Sequence, residues 1–208
     1  MVELMDLLNQ SDEEDTFIQL VEAQWVDDVL KLRILARPDF DTPSQEWTVE
    51  CLEVASFKLN HSVAQSLSLL EDHVLLWPFK EDTADAFFYG KPDSPAAAVG
   101  QLYEAHLAIA KGWIPFEHYF NRSMSLSTLL SAGDGKLATG PVRLLEVYKD
   151  VLSVHQTTVE IRFSHGPKRW DGTNWVAISS DQLRVLLLDE TYVVANGFRA
   201  TRSINNEG

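Results

Sequence analysis

The chain has 208 residues, 45% of them hydrophobic and 23% charged, and a formal net charge of -14, an ordinary globular composition long enough to bury a sizeable core. Its single cysteine, Cys51, excludes an internal disulfide, and the lack of any CxxC or Cys/His cluster excludes zinc ribbons and fingers. The negative field repels phosphate backbones and anionic head groups, so neither nucleic acid nor a membrane surface is expected as a partner.

The chain opens with MVELMDLLNQ, in which Met1, Leu4, Met5 and Leu8 recur at helical spacing. This predicts a short amphipathic helix, followed by an acidic hinge at Ser11–Asp15 (together about 1–15). The helix is expected to dock on its own chain, because a free end with that stripe would be poorly soluble; a partner's surface is the other option. The segment lacks the positive start and long apolar core of a secretory signal. No apolar run reaches the roughly 18 residues needed to cross a bilayer. Three glycosylation sequons, at Asn9, Asn60 and Asn121, are therefore read as accidents of composition, and a cytoplasmic protein is expected.

Strand-like runs come next. Thr16–Val26 and Val29–Leu35 flank a turn at Asp27-Asp28. Glu46–Phe57 alternates Trp47, Val49 and Cys51 against Glu46, Thr48 and Glu50, the pattern of a half-buried strand. Cys51, with Glu50 and Glu53 near it, is expected to be buried and inert. Residues 61–70 predict a helix. Asp72–Phe79 and Asp85–Gly90 predict two more strands, with Pro78 demoting the first to an edge or bulge.

A helical middle spans about 94–153. Ser94 or Asp93 caps its first helix, Pro95 takes the first position and Gly112 closes it after Lys111. Val99, Leu102, His106 and Ile109 form its apolar stripe. A second helix is expected over about 123–132, and a third over about 141–152 with Leu144, Leu145, Tyr148 and Leu152 inward. The glycines of AGDGKLATG (132–140) fit neither a dinucleotide fingerprint nor a P-loop, and predict a loop between helices.

The last third returns to strands at Thr157–Phe163, Asn174–Ser179, Leu183–Glu190 and Thr191–Ala200. Thr157, Val159, Ile161 and Phe163 share one predicted face. Asp171-Gly172 signals a turn, and Asn196-Gly197 is the strongest hairpin dipeptide in the chain. Strands, then helices, then strands argue an α+β fold with antiparallel sheets from the two terminal thirds. The organisation expected is one compact domain over 1–208. The alternative is two closely packed subdomains: an acidic, β-rich part to about residue 92, and helices then antiparallel strands over 93–208. Residues 1–104 carry 21 acidic and 6 basic side chains, and residues 105–208 carry 10 and 11.

The chemistry-bearing candidates cluster at Lys111–Ser123, KGWIPFEHYFNRS. Trp113, Phe116 and Tyr119 surround Glu117 and His118, and a second aromatic group lies at Trp77, Phe79, Phe87, Phe88 and Tyr89. Adjacent residues on an extended segment face apart, so Glu117 and His118 are not expected to serve one substrate. The aromatics are expected to seal an interior. His106, two residues from Glu104, is expected to be a hydrogen-bonded core histidine and not a ligand. Lys168, Arg169 and Trp170 sit at a predicted hairpin tip and suit an acidic protein surface better than nucleic acid.

Neither a metal nor a cofactor is expected. The function expected is a non-catalytic module that binds a protein partner or another copy of itself, through Met1, Leu4, Met5 and Leu8 or Lys168, Arg169 and Trp170. The alternative is a small-molecule binder or enzyme whose aromatic pocket is lined by Trp77, Trp113, Phe116, Glu117, His118 and Tyr119.

Overall fold

The computed structural model describes residues 1–8, 16–60, 63–170, 173–177 and 182–203, without the side chains of 169, 170, 175 and 177. The acidic hinge at 11–15 and the Asp171-Gly172 turn lie outside the described residues. The chain is an α+β protein with antiparallel sheets and a helical middle. It divides into two compact units, one made of Met1–His73 with Ser180–Gly208 and the other of Val74–Ser179. The end of the chain belongs to the first unit because Thr191–Arg202 pairs with Gln45–Lys58 and Arg184–Leu188 pairs with Ser68–Leu70. By sequence the first unit carries 20 acidic and 7 basic residues and the second 11 and 10. The acidic excess therefore belongs mainly to the first unit, at a net -13 against -1 for the second.

The first unit is built on a seven-stranded antiparallel sheet. Its strands are β1 (Phe17–Val26), β2 (Val29–Arg37), β3 (Gln45–Lys58), β4 (Val63–Ala64) and β5 (Ser68–Leu70), with β11 (Arg184–Leu188) and β12 (Thr191–Arg202) from the end of the chain. Their order is β4-β1-β2-β3-β12-β11-β5. Seven strands laid flat would hold the outermost pair about 29 Å apart. Yet only residues 65–67 separate β4 from β5, a connection that reaches at most about 14 Å. The sheet must therefore curl back on itself toward a barrel. Asp27 and Asp28 make the β1–β2 turn with φ of 48° and 62°, the two left-handed residues that match strand twist in a two-residue hairpin.

Inward positions alternate as the pattern demands. Ile18, Leu30, Leu32, Ile34, Trp47, Val49, Cys51, Leu186 and Val193 form one core, and Leu4 and Leu8 of helix α1 (Val2–Leu8) are buried in it. The amphipathic helix thus docks on its own unit.

Two predictions fail here for the same reason. Residues 63–70 form β4 and β5 instead of a helix (residues 61 and 62 lie outside the description), because pairing with β1 and β11 outweighs local preference. Asn196-Gly197 makes no hairpin. Neither residue takes a positive φ, and β12 runs straight through, pairing with β3 from Lys58 to Trp47. The turn falls instead at Asp189-Glu190, with Asp189 at φ 48°.

The second unit packs helices on one face of a three-stranded sheet. The strands are β6 (Thr83–Tyr89), β7 (Asp134–Pro141) and β8 (Thr158–His165), in the order β7-β6-β8. The helices are α2 (Trp77–Lys80), α3 (Pro95–Ala110), α4 (Leu126–Ala132) and α5 (Val142–Val154). A small two-stranded ribbon, β9 (Lys168–Trp170) with β10 (Trp175–Ala177), completes the unit.

Ser94 caps α3 by accepting from the Ala97 amide at 3.3 Å, with Pro95 next. Lys111 itself turns left-handed at φ 47° to end it, one residue before Gly112. The buried row is Ala98, Leu102, His106 and Ala110, an i+4 row that leaves Val99 and Ile109 half-buried at its margins. In α5 all four expected residues, Leu144, Leu145, Tyr148 and Leu152, are buried.

Three predictions are corrected in this unit. Val74–Leu76 is a 3-10 turn leading into α2, not a strand. Val74 to Trp77 are buried without alternation, and Pro78 sits in the first helical turn, where its missing N–H costs nothing. AGDGKLATG is mostly strand β7, whose ladder with β6 absorbs Leu137 as a bulge. In β8 the expected common face breaks at Phe163, which takes φ 59° and is 72% exposed while Val159 is buried.

Candidate functional site

The segment after α3 is held by buried polar contacts. His106 is 3% exposed, with Nε2 2.8 Å from the Ile114 carbonyl and Nδ1 2.7 Å from the Tyr148 hydroxyl. A carbonyl only accepts, so Nε2 carries the hydrogen, and in the neutral ring Nδ1 accepts from Tyr148. The histidine therefore ties α3, the turn at Ile114 and α5 together.

The aromatics close over this tie. Phe116 meets Tyr103, His106 and Phe120 edge-on, with ring centroids 5.4, 5.6 and 4.9 Å away. Phe120, 6% exposed, stacks on Tyr148 at 4.7 Å. Trp113 is half-buried.

Pro115 holds extended geometry at φ -58° and ψ 141°, but Phe116–His118 then form a 3-10 turn. Glu117 and His118 are both exposed there, so the alternation expected of an extended segment does not apply. His118 lies edge-on to Tyr119 at 4.6 Å. Desolvation first, then the charges of Arg122 and His106, hold the His118 imidazole below its ordinary value of 6.5. Arg122 Nε donates to the Glu117 carbonyl at 3.4 Å.

Tyr119 is half-buried, and burial pushes its phenol up to about 12. Its hydroxyl has no hydrogen-bond partner among the described residues. The ring packs on Gly140, where an added Cβ would stand 2.8 Å from the ring.

Trp77, 6% exposed, lies under the Arg143 guanidinium at 4.7 Å, and Arg143 also reaches Glu81 at 3.7 Å. Phe116, Phe120 and Tyr148 are thus brought together in one ring cluster, and Trp77 is buried beneath Arg143.

The expected partner-binding residues divide similarly. Leu4 and Leu8 are buried in their own unit, and Met1 and Met5 are half-buried against the same core. Met5, Leu8, Thr16 and Leu67 line a depression of about 210 Å³; residues 9–15, between Leu8 and Thr16, lie outside the description. Lys168 is exposed on β9, and the side chains of Arg169 and Trp170 lie outside the described residues. Among the described residues no group of three His, Cys, Asp or Glu side chains is placed to hold a metal, and no helix is long and apolar enough to cross a membrane.

One surface was not foreseen. Ala84, Ala86 and Phe88 of β6 are buried, and the alternate residues Asp85, Phe87 and Tyr89 lie on the opposite face. Phe163 meets Phe87 edge-on at 6.0 Å, and the Arg162 guanidinium sits 5.9 Å from both the Phe87 and Tyr89 rings. Arg162 also pairs with Glu160 on β8, and Lys136 with Asp85 at 2.7 Å. Partial burial works to raise the Asp85 carboxyl, but hydrogen bonds from Lys136 and Thr139 outweigh it and hold it below its ordinary 3.8. The bulge at Phe163 brings its ring to this face, and no local residue pattern announces that bulge.

Two compact units define the class: a curled antiparallel sheet capped by a short helix, and a helix-backed three-stranded sheet with an aromatic outer face. Compared with known protein families, curated proteins and solved structures, the chain matches none of them.

Proposed function

We propose that the chain is a non-catalytic cytoplasmic module that binds protein surfaces, copies of itself included. The observation that carries this reading is the outer face of the β7-β6-β8 sheet, where Phe163 is 72% and Tyr89 40% exposed beside Phe87 and Arg162. Exposed aromatics gathered around an arginine are the composition of protein-binding patches, since large rings gain much on burial and lose little rotamer freedom. The alternative of a small-molecule pocket around Trp113–Phe120 is weakened because Phe116 and Phe120 spend their ring contacts on His106, Tyr103 and Tyr148.

The test is sedimentation velocity of the full chain beside a Tyr89→Ser/Phe163→Ser double variant. The wild type should gain mass with concentration, and the variant should stay at 23.5 kDa with an unchanged unfolding midpoint. A variant that assembles as well as the wild type would remove this face from consideration.

A further inference from the structure

We infer that strand β8 pairs antiparallel with β8 of a second copy, about a two-fold axis at Ile161; this rests on the self-assembly reading above. The three-stranded sheet has two edges, and the fold treats them differently. The edge of β7 is covered by the chain's own backbone. Asn121 N–H donates to the Leu137 carbonyl and Thr139 N–H to the Tyr119 carbonyl, both at 2.9 Å, and Phe120 bridges Ala138. The edge of β8 has only β6 beside it, and no backbone hydrogen bond crosses its outer side among the described residues. An edge left open is a template for another strand.

The charges on β8 select both the occupant and the register. Glu160 and Arg162 stand two apart, both exposed and on the face they share with Phe87. Antiparallel self-pairing about Ile161 sets Glu160 of each copy opposite Arg162 of the other, twice. Centring the axis on Glu160 sets glutamate against glutamate, and centring it on Arg162 sets arginine against arginine; like charges directly opposite are destabilising. Only the Ile161 register turns the existing Glu160–Arg162 pair into an alternating quartet of charges.

The left-handed Phe163, at φ 59°, ends the regular stretch, so the ladder is short. Its exposed ring, edge-on to Phe87, then stands at the border of the joined sheets. A contact of that size is weak and concentration-dependent.

Charge exchange on the full chain tests this. Glu160→Arg presents two arginines and Arg162→Glu two glutamates, so each variant alone should self-associate about tenfold more weakly than the wild type. Mixed in equal amounts they should associate as a heterodimer at wild-type strength, because every cross-strand pair is again opposite in sign. On the unmodified chain, amides of residues 159–163 should gain hydrogen-exchange protection as concentration rises. If the wild type associates, but the exchanges leave association unchanged and those amides gain no protection, the dimer uses another surface; the pairing fails and the self-assembly reading stands. If the wild type stays monomeric throughout, both fail.

Discussion

The hydroxyl of Tyr148, on α5, meets Nδ1 of His106, on α3, at 2.7 Å inside the helical unit. Both side chains are almost wholly buried, so neither group has water to fall back on. Tyr148→Phe should cost about 1–3 kcal/mol, because it strands the imidazole nitrogen while leaving the ring stack on Phe120 intact. His106→Ala should cost more, since it also frees the Ile114 carbonyl and opens a cavity under Phe116. Urea unfolding of the two variants beside the wild type measures both.

Gly140 makes room for a ring. It has no positive φ, so alanine there meets only a steric objection, a Cβ 2.8 Å from the Tyr119 ring. Gly140→Ala should destabilise by about 1–3 kcal/mol. In a Tyr119→Ala background the same substitution should cost under about 0.5 kcal/mol, because the clashing atoms are gone. A double-mutant cycle of unfolding midpoints reads the coupling directly.

Alkaline pH should weaken both units. Desolvation lifts the Cys51 thiol from 9.0 to about 12 and the Tyr119 phenol from 10.0 to about 12, and it raises Tyr148 as well, with Tyr119 adding to that shift. These folded-state values lie above the unfolded ones, so the stability they contribute is complete below about pH 9. It is lost as pH climbs toward 12, because the unfolded chain releases protons that the folded chain retains. Urea midpoints should therefore fall between pH 9 and 11, and Cys51→Ala should remove the share belonging to the first unit. Thiol reagents at neutral pH should label Cys51 only when urea is present.

His118 offers a local probe. Its imidazole is depressed by desolvation first and by the Arg122 charge second. An NMR titration should find it below the ordinary histidine range. Arg122→Ala should raise it part of the way, since removing a like charge favours the protonated ring while the desolvation remains.

Periodicity made much of this fold legible. The alternation of Trp47, Val49 and Cys51, the inward row of α5, the Ser94-Pro95 start of α3 and the buried His106 all follow from local chemistry that the tertiary structure leaves in force. The misread segments are those where long-range pairing decides. Asn196-Gly197 lies within a ladder running the length of β12, and a two-residue turn preference does not break it. β4 is two residues long and exists only because β1 is beside it. The outer aromatic face was hidden for a related reason. Phe163 reads as the inward neighbour of Val159 until the backbone bulges, and only β6 reveals which rings it joins. The extended segment expected at Glu117 and His118 is instead a 3-10 turn after Pro115, which leaves both side chains largely exposed.

The proposed association through the outer edge and face of the three-stranded sheet is read in the mass of the chain in solution. Sedimentation equilibrium over a hundredfold range of concentration should show the 23.5 kDa chain passing toward twice that mass, with Glu160→Arg shifting the transition to higher concentration. A single 23.5 kDa species at every concentration would rule that association out.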